Sequence, residues 1–542
     1  MSNLVKKNST LLNYLKFILI TFVILYLYNV ISHFITQMPI VAGKRVFLIE
    51  FPIYLALVTP FYFARAQSPF FRYILPNIFG LTLYAIFDTV YAFLLRSPRI
   101  SDLKNIDTIF DFYPLAVVGI VIAAALLIFL ALLLLKHTKR LYTKAEFKKT
   151  ILLRSIALIA LLFLLQSSAF LKLNERLFKY MPWAEKSTIK KNGRISSFLY
   201  FSYQEQKNRA KLLQQANNRI DITNTLYRGK LHKKPNIYFI VLESFINPNY
   251  LQKIEYSPNP LATEMLPYLQ DGNFSHIISP VYGGNTAQAE FELLTGIPAL
   301  AKIDTIEFNL FKGGKIDSFV TQLQKNSYQT FATIATGANF FNSKLAYKSL
   351  GFQNVRFLKE EENFHQNPND KKIFDGDLFN YNLKIIKEHL ANHKEPFISY
   401  ILGMYGHIPY ERNKKDRPDV IEVKNSKNSA VKRVANQFYY RTKALASYIQ
   451  NILALDPKSL IFISSDHIPA LLNRQIHYKY EKHTNIALLL YKGKFINLKT
   501  MHQYEVPHLL WSLLTKQKMP KLTDKQLEQL YFKALYQGVQ EP

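Results

Sequence analysis

The sequence predicts a multi-pass α-helical membrane domain of five spans followed by a soluble α/β domain. Five long apolar runs lie within the first 171 of the 542 residues, and each approaches the roughly 20 residues that a helix needs to cross a bilayer. Beyond residue 234, apolar runs of strand length alternate with helix-like runs, which is typical of an α/β fold with a mainly parallel sheet. We divide the chain into a membrane domain (1–171), a basic connector (172–234), a soluble α/β domain (235–521) and a C-terminal tail (522–542).

The charge balance favours a membrane surface as a partner. The net charge is +30, and much of the excess lies beside the apolar runs and in the connector. Since the chain carries no nucleic-acid motif, this pattern indicates anionic lipid rather than nucleic acid. There are no cysteines, which excludes disulfides, thiolate metal sites and a cysteine nucleophile.

The predicted spans cover residues 17–35, 46–64, 73–95, 114–135 and 151–171. Lysine and arginine cluster before the first span, between the second and third, and between the fourth and fifth, so these places are expected to be cytoplasmic. An odd number of spans then puts everything beyond residue 171 on the outer face. Two acidic residues, Glu50 and Asp88, lie in or near spans. We interpret them as interfacial groups or polar contacts between helices rather than as transport groups.

Candidate metal ligands follow the predicted strands. The strands cover residues 236–242, 396–402, 460–464 and 485–491, with helices predicted at 315–324, 378–391 and 430–453. Glu243 ends the first strand, His407 follows the second, Asp466 and His467 follow the third, and His483 precedes the fourth. Because ligands gather at the carboxyl ends of parallel strands, these nitrogen and oxygen donors predict a site for a divalent cation.

A threonine at the start of a helix is the candidate nucleophile. The stretch from Val281 to Gly296 reads V-Y-G-G-N-T-A-Q-A-E-F-E-L-L-T-G, and it predicts a helix from Ala287 to Leu294 that Gly296 closes. Thr286 then has two roles open to it. It is either an N-cap or a nucleophile placed where helix-terminal N–H groups hold a phosphate.

Three motifs together carry a family resemblance: V-L-E-S-F at Glu243, G-G-N-T-A-Q-A-E-F-E at Thr286, and S-S-D-H at Asp466 and His467. In order and spacing they resemble the sulfatase-like branch of the alkaline phosphatase superfamily. Within it they are most similar to lipoteichoic acid synthase-like phosphoglycerol transferases and to phosphoethanolamine transferases. The five-span region ahead of the domain matches as well.

The resemblance implies roles for six residues. One divalent metal would be held by Glu243, Thr286, Asp466 and His467, with Mn²⁺ favoured and Zn²⁺ or Mg²⁺ as alternatives. Thr286 would also be the nucleophile. The resemblance implies that His407 and His483 contact the phosphate, or bind a second metal as in the phosphoethanolamine branch.

The function implied is a metal-dependent transferase in a bacterial inner membrane, with its catalytic domain on the periplasmic or extracellular side. It would move a phospho-alcohol headgroup, phosphoglycerol before phosphoethanolamine, from a phospholipid to a glycan or glycolipid through a phospho-threonine. Two alternatives stay open: a hydrolase of the same superfamily, and a non-catalytic membrane scaffold.

Three departures from related families bear on the substrate. The segment 336–343, T-G-A-N-F-F-N-S, matches the pocket that holds glycerol phosphate in lipoteichoic acid synthases. Here phenylalanine replaces its tryptophan, Ser343 replaces its arginine, and no histidine precedes it. The lack of cysteines argues for the phosphoglycerol side, since many phosphoethanolamine transferases carry disulfides in this domain. Thr286-Ala-Gln-Ala does not fit the C/S-x-P-x-R motif of true sulfatases, which argues against sulfate-ester hydrolysis.

Overall fold

The structure is a computed structural model, and it describes most of the chain in two compact units. The described residues are 2–36, 44–62, 68–94, 143–177, 185–215 and 218–541 without 304, 339, 473 and 474, together with short pieces between 66 and 181. One unit spans Met1–Arg209 and the other Ala210–Pro542. The first unit therefore extends beyond residue 171, the end of the predicted membrane domain.

The first unit is helical. Its described helices are α1 (Ser2–Thr36), α2 (Lys44–Val58), α3 (Leu75–Leu94), α4 (Lys144–Gln166), α5 (Ser168–Leu177), α6 (Glu185–Asn192) and α7 (Arg194–Gln214). A short π-helix, Phe70–Ile74, leads into α3. Helix α7 ends inside the second unit.

Three described helical segments are long and apolar enough to cross a membrane: Leu11–Ile35, Phe70–Tyr91 and Lys144–Gln166. They match the first, third and fifth predicted spans and support a membrane domain. The second predicted span contains a shorter apolar helix, Glu50–Phe61. The fourth, 114–135, lies largely outside the described residues. Five spans and an outward-facing second unit therefore remain predictions.

Both acidic residues of the apolar helices make polar contacts with the start of α7. The Glu50 carboxylate accepts hydrogen bonds from the backbone N–H groups of Arg194 and Ile195, both at 2.8 Å, and from Ser196 at 3.1 Å. Asp88 forms an ion pair with the Arg194 guanidinium, with Nε and Oδ1 2.5 Å apart. All three charged side chains are buried. These contacts agree with the interpretation of Glu50 and Asp88 as polar contacts between helices.

The second unit is built on a nine-stranded mixed sheet with the order β13-β4-β11-β9-β1-β7-β5-β6, and β12 pairs with β11. The strands are β1 (Ile237–Leu242), β2 (Leu251–Gln252), β3 (Tyr256–Ser257), β4 (Ser275–Ile278), β5 (Gln329–Ile334), β6 (Asn354–Phe357), β7 (Phe397–Gly403), β8 (Glu422–Val423), β9 (Leu460–Ser465), β10 (His477–Tyr478), β11 (Thr484–Tyr491), β12 (Lys494–Phe495) and β13 (Met501–His502). The pairs β2 with β10 and β3 with β8 form two separate small sheets.

The four predicted strands correspond to β1, β7, β9 and β11. Strands β9, β1, β7, β5 and β6 are mutually parallel. Each residue of β1 is fully buried, as expected for a strand between two parallel neighbours. Strand β11 is antiparallel to β9 and β4, which the sequence did not predict. Its amino end therefore lies at the edge where the parallel strands end.

The helices of the second unit are α8 (Ile222–Leu226), α9 (Thr286–Thr295), α10 (Phe319–Lys325), α11 (Ser343–Leu350), α12 (Asp375–Asn392), α13 (Ser429–Leu455), α14 (Val506–Thr515) and α15 (Asp524–Gly538). Short 3₁₀ turns lie at Thr59–Phe61, Pro248–Tyr250, Thr263–Tyr268, Glu307–Leu310, Phe340–Asn342 and Gln503–Glu505.

Two of these helices refine the sequence predictions. Helix α10 begins at residue 319 rather than 315, because the Ser318 hydroxyl accepts a hydrogen bond from the N–H of Thr321 and caps the first turn. The predicted C-terminal tail contains α15, whose side chains Leu530, Tyr531 and Leu535 are fully buried. This segment therefore contributes to the hydrophobic core.

Candidate metal and nucleophile site

Three candidate ligands converge at the ends of adjacent strands. Glu243 follows β1, and Asp466 and His467 follow β9, which pairs with β1 in parallel register. One ligand atom from each of the three lies within 4.8 Å of the others. Their exposed fractions are 2% for Glu243, 0% for Asp466 and 1% for His467. The structure thus brings together the three groups whose convergence the strand ends predicted.

Backbone hydrogen bonds orient two of these ligands. Asp466 Oδ1 accepts from the N–H of Ser244 at 2.8 Å and of His467 at 2.7 Å. The His467 Nδ1 atom lies 3.0 Å from the Ile468 carbonyl oxygen. A proton on Nδ1 donates there, which leaves the lone pair on Nε2.

The remaining atoms of the pair suit a cation. Among the described residues, Asp466 Oδ2 and His467 Nε2 have no hydrogen-bond partner, although they face each other at 3.2 Å. Glu243 Oε1 lies 3.5 Å from the same nitrogen. Buried lone pairs at such distances repel unless a proton or a cation lies between them. The donor set, two carboxylates and an imidazole, is one that divalent metals accept.

The electrostatics of the three groups also favour a bound cation. Burial and the negative charge of Glu243 raise the pKa of Asp466 to about 7. Burial raises the pKa of Glu243, but the positive charges of His467 and His407 outweigh it and lower the pKa overall. Burial lowers the pKa of His467, and the two carboxylates more than reverse this effect. Two buried carboxylates thus compete for positive charge, which a bound cation would supply.

Thr286 faces the cluster and does not cap its helix. The N-cap of α9 is Asn285, which has a left-handed backbone with φ of 65°, and Thr286 is the first helical residue. The Thr286 hydroxyl donates a hydrogen bond to Glu243 Oε2 at 3.0 Å. The N-cap reading of Thr286 is therefore wrong. The predicted helix is confirmed, with Gly296 as its left-handed C-cap.

The glycine pair before Asn285 lets this loop approach the ligand loop. Gly283 has φ of 68°, and its N–H donates to the Ile468 carbonyl at 3.2 Å. A Cβ at Gly283 would lie 2.8 Å from that of Ala470. The loop before Thr286 therefore packs directly on the segment that carries Asp466 and His467.

The two other candidate histidines are half-buried. The Nδ1 atom of His407 lies 2.8 Å from the Ile408 carbonyl, and its charge acts on Glu243. The Nδ1 atom of His483 lies 3.1 Å from the Ser279 carbonyl, while the Ser279 hydroxyl donates to the Asp466 carbonyl at 2.7 Å. Both histidines thus belong to the loops around the cluster. Their roles toward a phosphate or a second metal stay predictions.

Sequence reasoning missed the groups that support these residues. The Ser244 hydroxyl donates to Glu243 Oε1 at 2.8 Å. On helix α9, Glu290 accepts hydrogen bonds from the hydroxyls of Tyr347 at 2.5 Å and Tyr400 at 2.6 Å. Glu290 stands four residues after Thr286, on the same helix face. The four-residue spacing between Thr286 and this acidic residue was the available signal.

The segment 336–343 forms an irregular turn. Phe341 and Asn342 both have left-handed backbones, with φ of 49° and 58°. The Asn342 side chain donates to the carbonyl oxygens of Phe308 at 2.8 Å and Phe311 at 2.9 Å. Asn342 therefore fixes this loop to the chain before α10.

The family follows from a match to the second unit. The family model described as Sulfatase matches residues 235–533, which is more than half of the chain. The chain belongs to the sulfatase family. Thr286 and the residues that follow it do not form a C/S-x-P-x-R motif.

Two curated relatives are similar to part of this chain. A Rhizobium meliloti protein described as a cyclic beta-1,2-glucan modification protein is 27% identical over 299 residues, covering 54% of this chain and 44% of the relative. The lipoteichoic acid synthase of Staphylococcus aureus is 27% identical over 365 residues, covering 63% of this chain and 53% of the relative. The chain thus spans about half the length of the curated relatives it matches.

Two solved structures are also similar. The lipoteichoic acid synthase LtaP from Listeria monocytogenes is 18% identical with a TM-score of 0.45, covering 61% of this chain and 81% of that one. The phosphoglycerol transferase GacH from Streptococcus pyogenes, solved with sn-glycerol-1-phosphate, is 18% identical with a TM-score of 0.40, covering 62% of this chain and 92% of that one.

Proposed function

We propose that this chain is a membrane-anchored, metal-dependent transferase of a phospho-alcohol headgroup. It would take the headgroup, phosphoglycerol in preference to phosphoethanolamine, from a phospholipid. It would pass the group to a glycan or glycolipid outside the cytoplasmic membrane. The observation that carries the proposal is the Thr286 hydroxyl at the start of α9, hydrogen-bonded at 3.0 Å to Glu243 of a buried three-ligand cluster.

The site offers ligands for one divalent metal in Glu243, Asp466 and His467, with Thr286 as the fourth. Mn²⁺ is favoured, with Zn²⁺ and Mg²⁺ as alternatives. When bound, such an ion supplies positive charge to phosphoryl oxygens and lowers the pKa of a coordinated hydroxyl. A second metal held by His407 and His483 is the variant that the phosphoethanolamine branch suggests.

The chain's own residues would carry out two displacements. The Thr286 oxygen attacks the donor phosphorus, the bond from phosphorus to the diacylglycerol oxygen breaks, and a phospho-threonine ester forms. The threonine proton is already directed at Glu243 Oε2. His407 or His483 would give a proton to the departing oxygen. An acceptor hydroxyl then attacks the same phosphorus, and the ester bond to Thr286 breaks.

The sequence relatives support the class of donor and acceptor. One is a lipoteichoic acid synthase, and the other is described as modifying a cyclic glucan. Three apolar helical segments in the described part of the chain support a membrane location beside a lipid donor. Helix N–H groups at the start of α9 would bind the phosphate that Thr286 attacks.

The test is the intact mass of the full chain in nanodiscs, incubated with Mn²⁺ and with phosphatidylglycerol or phosphatidylethanolamine. We expect a mass gain that maps to Thr286, and its size identifies the headgroup. Thr286→Ala should abolish the adduct, whereas Thr263→Ala, at an exposed threonine, should keep it. Headgroup released into solution without any acceptor product would favour the hydrolase. Neither adduct nor release from a folded, metal-loaded chain would favour the scaffold.

A further inference from the structure

Lys372 lies at the same edge of the sheet as the site. It stands three residues before Asp375, the first residue of α12. Asp375 Oδ1 lies 2.8 Å from the place where a Cβ on Gly403 would lie. Gly403 ends β7, and its carbonyl accepts the N–H of Glu243 at 2.9 Å. The segment that carries Lys372 therefore passes the carboxyl ends of β7 and β1.

The backbone beside Lys372 is firmly held. Ile373 is 1% exposed. The Phe374 ring lies 4.1 Å from the Arg417 guanidinium, and Asp375 forms a buried ion pair with Arg441 at 2.6 Å. A ligand that binds Lys372 therefore has to order the side chain but not the backbone that carries it.

The Lys372 side chain is half-buried, and in the described part of the chain its ammonium group donates no hydrogen bond and forms no ion pair. Its neighbour Lys371 is 78% exposed and pairs with Glu411 at 2.5 Å. Burial and the charge of Lys359 lower the pKa of Lys372, while the charge of Glu243 opposes them. Lys372 is thus within electrostatic reach of the site, and a half-buried cation of this kind is stabilised by a bound anion.

Lys359 and the segment 336–343 border the same region. Lys359 follows β6, and the next residue, Glu360, accepts the N–H of Ala338 at 2.7 Å. This bond fixes the 336–343 loop beside the lysines. Lys372 and Lys359 therefore place positive charge beside this loop.

We propose that Lys372 contacts a non-bridging oxygen of the donor phosphate, with Lys359 adding to the positive potential. The inference rests on the proposed function, because that phosphate is the group Thr286 would attack. A lysine ammonium binds phosphate as a point charge and does not recognise the alcohol attached to it. Lys372 would therefore act equally on phosphoglycerol and phosphoethanolamine donors.

The test compares Lys372→Gln with Lys371→Gln in the full chain. Calorimetric titration with inorganic phosphate and with glycerol phosphate measures binding, and the rate of adduct formation with each lipid measures use of the donor. We expect Lys372→Gln to weaken both phosphate ligands roughly ten- to hundredfold, the range for a hydrogen bond to a charged group. The KM for the two lipids should rise by similar factors. Lys371→Gln should match the wild type.

A conservative variant separates loss of charge from loss of fold. Lys372→Arg keeps the charge and should retain most of the phosphate affinity. Wild-type affinity in Lys372→Gln, or a loss confined to one of the two lipids, would overturn the contact with phosphate. If the wild type binds phosphate but never forms an adduct on Thr286, the proposed function fails, while the calorimetry still decides the role of Lys372.

Discussion

Two buried atoms, Asp466 Oδ2 and His467 Nε2, make the site sensitive to single substitutions. They lie 3.2 Å apart, and neither has a hydrogen-bond partner among the described residues. Each is held by its own backbone contacts, so neither side chain is free to turn toward another partner. A cation would bind both atoms and the Glu243 carboxylate at once. A proton shared by the two atoms would satisfy only that pair, and the Glu243 carboxylate would still compete for positive charge.

His467→Gln should lower metal affinity by roughly tenfold or more, because the loss of a group that only supports a ligand already lowers the affinity by about tenfold or more. The amide keeps an oxygen donor but loses the imidazole nitrogen that Ile468 orients. Mn²⁺ content after dialysis, measured by inductively coupled plasma mass spectrometry, checks this. His477→Gln removes an exposed histidine and should leave the metal content unchanged. Equal metal in both variants would contradict the assignment of His467.

At the scale of single residues, the sequence predicted that three candidate ligands converge but missed the groups that support them. Glu243, Asp466 and His467 were predictable because they end buried apolar runs, and parallel strands end at a common edge. Lys372 was not predictable. It lies between α12 and the preceding strand without a periodic pattern, and its electrostatic interaction with Glu243 arises from the path of a long loop.

Among the elements, helix α9 carries Thr286 on an unusually acidic buried surface. Burial raises the pKa of Glu290 to about 7. Burial and the charges of Glu307 and Glu505 raise the pKa of Glu292 to about 8. Hydrogen bonds from Ala299 and Tyr504 act in the opposite direction but do not cancel this rise. In the unfolded chain these carboxyl groups lose their protons above the ordinary glutamate pKa near 4.5, whereas in the folded chain they keep them up to the raised pKa. Their contribution to stability declines as the pH rises through this window.

Glu292→Gln should reduce the loss of folding stability that accompanies rising pH. The amide oxygen can still accept the N–H of Ala299, now 2.9 Å from Glu292 Oε1, and the buried group no longer has to ionise. From about pH 5 to about pH 8, the thermal midpoint of the variant should fall less than that of the wild type. Differential scanning fluorimetry of the full chain measures this. Glu528→Gln, at an exposed glutamate, is the control, and parallel curves for wild type and Glu292→Gln would refute the explanation.

Strands with a uniform apolar pattern were predictable, whereas strands with a mixed pattern were not. Strand β1 reads I-Y-F-I-V-L and was found, whereas β5 reads Q-T-F-A-T-I and was missed. The polar positions of β5 are satisfied by tertiary contacts. The Thr330 hydroxyl donates to the Gly351 carbonyl at 2.9 Å, and Thr333 accepts from Asn382 at 2.9 Å. Such partners come from distant segments, so local patterns did not reveal them.

On the scale of the whole molecule, the polar cluster in the first unit depends on long-range contacts. The Arg194 guanidinium contacts Asp88, Asn29 and Ser32, at 2.5, 2.5 and 3.2 Å. Gly193 has φ of 92°, and a Cβ there would lie 2.5 Å from the Glu50 carboxyl carbon. Hence Glu50 can reach the N–H groups of α7 because residue 193 has no side chain.

Arg194→Met should destabilise the first unit by about 3–5 kcal/mol, because Asp88 is left as a buried charge without its ion-pair partner. The double variant Arg194→Met with Asp88→Asn should recover part of the loss. Arg209→Met changes an exposed arginine of the same helix and should have little effect. The fraction of monodisperse protein after heating in detergent, read by size-exclusion chromatography, measures each case. A double variant as unstable as the single one would refute the ion-pair explanation.

The order of synthesis gives this cluster a further consequence. Asp88 precedes Arg194 by 106 residues and Glu50 precedes it by 144, so both acids are synthesised well before their partner. During that interval the hydroxyls of Tyr84, Tyr28 and Ser32 are the hydrogen-bond donors that the early helices offer these carboxylates, and the charge of Arg194 is missing. A chain that stops at residue 171 would remain in that state permanently. The membrane part should therefore mature only after translation has passed residue 196, and nascent chains stalled earlier should be targets for quality-control proteolysis.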